Sequence, residues 1–165
     1  MPNLLEYYED LHRVPELSGK EEKTKAYLMA ALTDMGYQPV GIGKYGVYAD
    51  LCIDAALPWI LLRSDMDALP VTEETDVIYA SRNPGVMHAC GHDSHMAMLL
   101  TAAAELRDKK LPQNIRFLFQ PAEETVVGAE EMIAAGVIRR IVRQYLACMC
   151  GPVWKKEKCW QKQVL

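Results

Sequence analysis

Two apolar runs, Trp59-Ile60-Leu61-Leu62 and Ile115-Arg116-Phe117-Leu118-Phe119, constrain the fold of this 165-residue chain more than any other feature. A strand with one wet face alternates apolar and polar residues. A run with almost no polar positions is a strand covered on both sides, at the centre of a sheet flanked by helices. The segments around these runs supply such helices. Asn3 caps a predicted helix through Val14, with Leu4, Tyr7, Tyr8 and Leu11 on one stripe and Pro15 ending it. Ser18 followed by Glu21 reads as a capping box for a second helix over 19–35. Its stripe is Tyr27, Leu28, Ala31, Leu32 and Met35, and Gly36 stops it. Further helices are expected at 94–109, capped by Asp93, and at 126–135, ending at Gly136. Strands are expected at 37–42, 46–52, 59–64, 114–120 and 145–150. The alternation predicts an α/β domain: a mixed or mostly parallel sheet with helices on both faces. The length suits one domain core.

Composition excludes several classes. Eighteen basic and 22 acidic residues give a net charge of −4, which disfavours a dedicated nucleic-acid surface. No apolar stretch approaches the roughly 20 residues needed to span a bilayer, so no membrane partner is expected. The opening Met-Pro-Asn lacks the basic-then-apolar pattern of a signal peptide, and a cytoplasmic location is expected. Five cysteines form no regular framework and read as free thiols or metal ligands. Charge is unevenly spread: residues 1–138 carry a balance of −10 and residues 139–165 one of +6. The basic end lacks a clear period and reads as a solvated tail.

One motif misleads. Gly41-Ile42-Gly43-Lys44-Tyr45-Gly46 matches the dinucleotide fingerprint, which requires a helix to open at its last glycines. The following Val47-Tyr48-Ala49-Asp50-Leu51 alternates like a strand, so the glycines mark a turn between two strands.

The chemistry concentrates where strands end. Met87-His88-Ala89-Cys90-Gly91-His92-Asp93-Ser94-His95 holds three of the four histidines and one cysteine. Thiolate and imidazole are the ligands that borderline metals such as zinc prefer. In an extended backbone Cys90 and His92 would share a face, with Gly91 admitting close approach to an ion. Gln120-Pro121-Ala122-Glu123-Glu124 puts adjacent carboxylates past a buried strand, where a cation would separate their tasks, one ligating and one handling protons. Taken alone, that pair equally suits the first turn of a helix. Arg63-Ser64-Asp65-Met66-Asp67-Ala68-Leu69-Pro70 lies past the other apolar run. Ligands of open α/β sheets gather outside the carboxyl ends of strands, and all three segments lie at such ends. The irregular stretch from Asp65 to Ala89 is too long to be a mere connection and is read as functional.

With Leu11-His12-Arg13-Val14-Pro15-Glu16-Leu17-Ser18, these motifs occur in an order that resembles the amidohydrolase branch of the M20 metallopeptidases, over about residues 4–142. The resemblance implies a zinc-peptidase-like catalytic domain with two divalent ions, manganese, zinc or similar. Their ligands here would include Cys90, His92 and Glu124, with Glu123 as general base. It implies hydrolysis of N-acyl amino acids to a carboxylic acid and a free amino acid, and homo-oligomers among complete members. Asp65 and Asp67 lie near the implied site without being assigned as ligands. His12, outside the cluster, is assigned to the first helix.

The chain also departs from the pattern. Where the family carries a histidine shortly before a proline, Met149 stands in Ala147-Cys148-Met149-Cys150-Gly151-Pro152. A thioether substitutes poorly for imidazole at such ions. A last ligand histidine, the inserted lid and dimerisation domain, and half the sheet have no counterpart in these 165 residues. The expectation is residues 1–142 as the N-terminal portion of the catalytic domain and 143–165 as a divergent basic segment, with at best weak turnover. The alternative is a degenerate relative acting as a binding or assembly partner.

Overall fold

The computed structural model describes residues 2–138 and the backbone of 144–147. Helix α1 (Leu4–His12) begins with a capping box: the Asn3 side chain accepts from the Leu5 and Glu6 N–H groups, and Glu6 accepts from the Asn3 N–H. Helix α2 (Glu22–Asp34) follows, then strands β1 (Val40–Ile42), β2 (Gly46–Leu51) and β3 (Trp59–Asp65). A long irregular segment leads to α3 (His92–Leu106), β4 (Asn114–Gln120), α4 (Gly128–Ala134) and β5 (Gln144–Ala147).

The strands form one mixed sheet in the order β1-β2-β4-β3-β5. β1, β2 and β4 pair antiparallel, while β3 runs parallel to both β4 and β5. The expected α/β sheet, with the two apolar runs adjacent at its centre, is what forms. The glycine motif is the turn of the β1–β2 hairpin, with Ile42 opposite Gly46.

Side-chain alternation along the central strands assigns the two faces. Val47, Ala49, Ile115, Phe117 and Phe119 point to one side and pack with Tyr7 and Leu11 of α1, Leu28 and Leu32 of α2, and Met96, Leu100 and Ala103 of α3. Leu61 and Leu118 point to the other, against Met132 of α4 and Val137. Burying each large apolar side chain contributes roughly 1.5–3 kcal/mol, which fixes the register, because a one-residue slip would exchange the faces. Among the described residues no helix is long and apolar enough to cross a membrane.

Two helix starts differ from expectation. Ser18 and Glu21 make no capping box: α2 has no side-chain cap from its first flanking residue. Glu16 accepts from the Thr24 N–H and hydroxyl instead, at 2.8 and 2.9 Å. Helix α3 begins at His92, two residues earlier than expected, with Gly91 at φ +79° as its N-cap. Asp93 therefore lies within the first turn and is buried against His12. The expected last strand is described over Gln144–Ala147; Cys148, Met149 and Cys150 lie outside the described residues.

Candidate metal centre

Because β3 and β4 are parallel and in register from Trp59/Asn114 to Asp65/Gln120, their carboxyl ends emerge at the same edge of the sheet. The segment 65–67 and the turn after Gln120 thus start side by side. The amino end of α3 closes the third side. Its first residue is placed by Gly91, whose left-handed backbone, easy only for glycine, leaves Cys90 exposed in the preceding turn and brings His92 inside. Cys90 and His92 are thus separated by a sharp turn rather than set on one face of an extended segment.

The His92 ring is oriented by Asp67, whose backbone carbonyl accepts from Nδ1 at 2.9 Å. That bond fixes the proton on Nδ1 and leaves Nε2 as the outward nitrogen. Nε2 stands 3.9 Å from Glu123 Oε2 and 3.9 Å from Glu124 Oε1. Two donors each about 2.1 Å from one cation lie about 3–4 Å apart, so the spacing is that of ligands around an ion rather than of hydrogen-bond partners. Glu124 Oε1 is buried without a hydrogen-bond partner, as is Asp67 Oδ1, 3.4 Å from His92 Nδ1. A buried carboxylate oxygen left in this way is costly unless a cation compensates it. At Cys90 a hydrogen bond with Glu124, then burial and the Glu124 charge, push the thiol up to about 11. The structure therefore brings His92, Glu123 and Glu124 together, with donor atoms within 4.8 Å of one another, while Cys90 stands outside that group in the exposed turn before α3; imidazole and carboxylates suit a borderline divalent ion.

The surrounding field is negative. Burial opposes charge on His92, yet the Asp67 and Asp65 carboxylates outweigh it and raise the ring to about 9. Burial likewise opposes ionisation of Asp67, but the neighbouring His92 ring and the bonds from the Ser18 hydroxyl and the Glu124 N–H hold it at about 2. Deeper in, Asp65, His92 and His95 form a second buried group whose donor atoms lie within 4.8 Å of one another. Arg63 differs from anything a cation needs there: its guanidinium already pairs with Asp65 and donates to Gln120 Oε1 at 2.8 Å. Among the described residues, neither glutamate of the outer group of His92, Glu123 and Glu124 pairs with a lysine or arginine. His88 belongs to neither; burial, followed by the charge of His92, pushes it down to about 3.

Sequence reasoning missed how much Asp67 does. It bonds His92 through its carbonyl, and its Oδ2 accepts from the Glu124 N–H at 3.0 Å and the Ser18 hydroxyl at 2.7 Å. A signal was present, since Asp67 follows a buried strand, but its partners are 25 to 57 residues away in sequence. His12 lies in the first helix as expected, at its last residue, and is also clamped between Asp93 and Glu73.

Residues 61–160 match the model of peptidase family M20/M25/M40. The chain is 47% identical over 130 residues to an N-acetyl-L-cysteine deacetylase of Bacillus subtilis, covering 76% of this chain and 31% of that protein. It is 48% identical over 133 residues to an N-acyl-L-amino acid amidohydrolase of Geobacillus stearothermophilus, covering 78% and 36%. Among solved structures, the YXEP protein of Bacillus subtilis, a dinuclear metal binding peptidase, superposes with a TM-score of 0.86 at 35% identity. That likeness covers 90% of this chain and 43% of the other. The chain thus spans well under half the length of each of these relatives.

Proposed function

The chain belongs to peptidase family M20/M25/M40, and from that premise we propose that it carries part of the site of a metal-dependent amidohydrolase acting on N-acyl amino acids. Cys90, His92 and Glu124 are the cation ligands in this reading and Glu123 is the proton carrier. The observation that carries it is the His92 ring, bonded through Nδ1 and presenting Nε2 at 3.9 Å to both glutamates. Two relatives named for removing acyl groups from amino acids support the substrate class.

Divalent cations bound there would supply Lewis-acid polarisation of an amide carbonyl and a more acidic water. The chain's own residues do the rest. Glu124 is the more enclosed of the two glutamates, with side-chain exposures of 21% against 35%, and its N–H is tied to Asp67. Glu123 is wetter and freer to move, as a group must be that takes a proton from water and returns it to a departing amine. Asp67 holds His92 and the Glu124 backbone together, so ligand spacing is set before an ion arrives.

With Met149 where the family resemblance implies a histidine, we further propose that turnover by these 165 residues alone is slow and that residues 1–142 form the catalytic portion. The test uses the dialysed, metal-loaded chain with N-acetyl and N-benzoyl amino acids. Glu123→Gln should retain cation binding and abolish whatever hydrolysis the unaltered chain shows. Loss of binding together with turnover would refute the division of labour between the two glutamates. A chain that takes up no cation and hydrolyses nothing would refute the proposal itself.

A further inference from the structure

The motif Ser18-Gly19-Lys20-Glu21 has the pattern of a helix cap but does not act as one, since Glu16 serves the start of α2. Both side chains reach instead across the molecule. The Ser18 hydroxyl donates to Asp67 Oδ2, the same oxygen that accepts the Glu124 N–H. Glu21 is wholly buried, and its Oε1 accepts the Ala122 N–H at 2.8 Å. Ala122 is itself buried with φ +53°, a left-handed conformation that L-residues avoid unless their surroundings impose it.

The turn from Pro121 to Gly128 satisfies alternate backbone N–H groups from two sources. Those of Val126 and Gly128 bond within the turn, to the carbonyls of Glu123 (2.8 Å) and Ala122 (3.2 Å). Those of Ala122 and Glu124 bond outward, to the Glu21 and Asp67 carboxylates. The outward pair flanks Glu123, and so decides where both glutamates face. We infer that Glu21, with Ser18 acting through Asp67, is a positioning residue that braces this turn, so that a segment lining no part of the site sets the separation of its carboxylates from His92. What the turn is for rests on the function proposed above; that it is braced does not.

Amide hydrogen exchange and Zn²⁺ titration of the full chain test this with Glu21→Ala and Glu21→Gln. Glutamine keeps an oxygen able to accept the Ala122 N–H, and alanine does not. In Glu21→Ala the Val126 and Gly128 amides should exchange at least about tenfold faster relative to the buried amides of Leu99 and Leu100, while Glu21→Gln stays within about threefold of the unaltered chain. Zn²⁺ affinity should follow the same order, falling about tenfold in alanine and little in glutamine. A purely structural role would raise exchange uniformly and leave the affinity of the folded protein unchanged. Uniform acceleration, or protected turn amides in Glu21→Ala, overturns the inference. If the unaltered chain takes up no Zn²⁺, the ligand assignment fails while the exchange comparison still decides the brace.

Discussion

Replacing His12 by leucine should be among the most damaging single changes outside the cation site. The ring is 5% exposed, with Nδ1 2.5 Å from Asp93 Oδ2 and Nε2 3.0 Å from Glu73 Oε1. Tyr8 and Tyr79 pack on it with ring centroids 5.5 Å away. Leucine fills most of the volume but leaves Asp93 Oδ2 without its donor and strips Glu73 Oε1 of its cationic partner. Removing one member of a buried ion pair costs about 3–5 kcal/mol. Asp93 keeps the Ser94 N–H, and Glu73 keeps Thr75 and Ser81, so the lower end, about 3 kcal/mol, applies. For a domain of this size that is a fall in Tm of about 6–12 °C, out of a total stability of about 5–15 kcal/mol.

The pH dependence has a definite sign. Burial opposes charge on His12, but Glu73 and Asp93 raise it above its ordinary 6.5; its contribution is complete below that value and is lost as pH climbs through the raised one. Burial would raise Glu73, yet Thr75, His12 and Ser81 hold it at about 2; its contribution is complete above its ordinary 4.5 and is lost as pH falls toward 2. Urea unfolding of the two proteins should therefore show the widest gap between about pH 4.5 and 6.5, narrowing on both sides. A gap under about 1 kcal/mol, or one that does not change from pH 3 to 9, would refute the clamp.

Two further outcomes follow from the site and its rim. Val126 is 81% exposed and holds φ +63°, unfavourable for a β-branched side chain. Val126→Asn, which tolerates that conformation, should raise stability in urea unfolding by about 1 kcal/mol; a loss would mean that the valine has a partner. Zn²⁺ affinity should rise steeply with pH, because the Cys90 thiol at about 11 and the His92 ring at about 9 must each release a proton. With both released, the rise between pH 6 and 8 is about a hundredfold per unit, read by competition with a chelator; a flat profile would remove both residues from the ligand set.

Much of the fold was legible because its signals are local. The run Asn114–Gln120 forms as a strand over its whole expected length, since a continuous apolar segment bounded by Pro121 has few alternatives. The stripes of α1 and α2 likewise found the core through Tyr7, Leu11, Leu28 and Leu32. Errors arose where a distant partner outbid a local one. Asp93 had the look of a cap, but His12, 81 residues away, claims its carboxylate. Ser18 and Glu21 matched a capping box, but their partners lie 49 and 101 residues on. The meeting of His92 with Glu123 and Glu124 was readable from motif content. The means of their meeting, parallel β3 and β4 ending together with Asp67 between them, depends on strand order, which no local pattern encodes.

The central claim is that Cys90, His92 and Glu124 hold a shared cation. Co²⁺ titration of the reduced full chain tests it through the near-ultraviolet charge-transfer band that marks a thiolate–cobalt bond. The band should grow to saturation in the unaltered protein, vanish in Cys90→Ala and weaken strongly in Glu124→Gln. A band of undiminished intensity in Cys90→Ala would place the ion on other thiols and contradict the account.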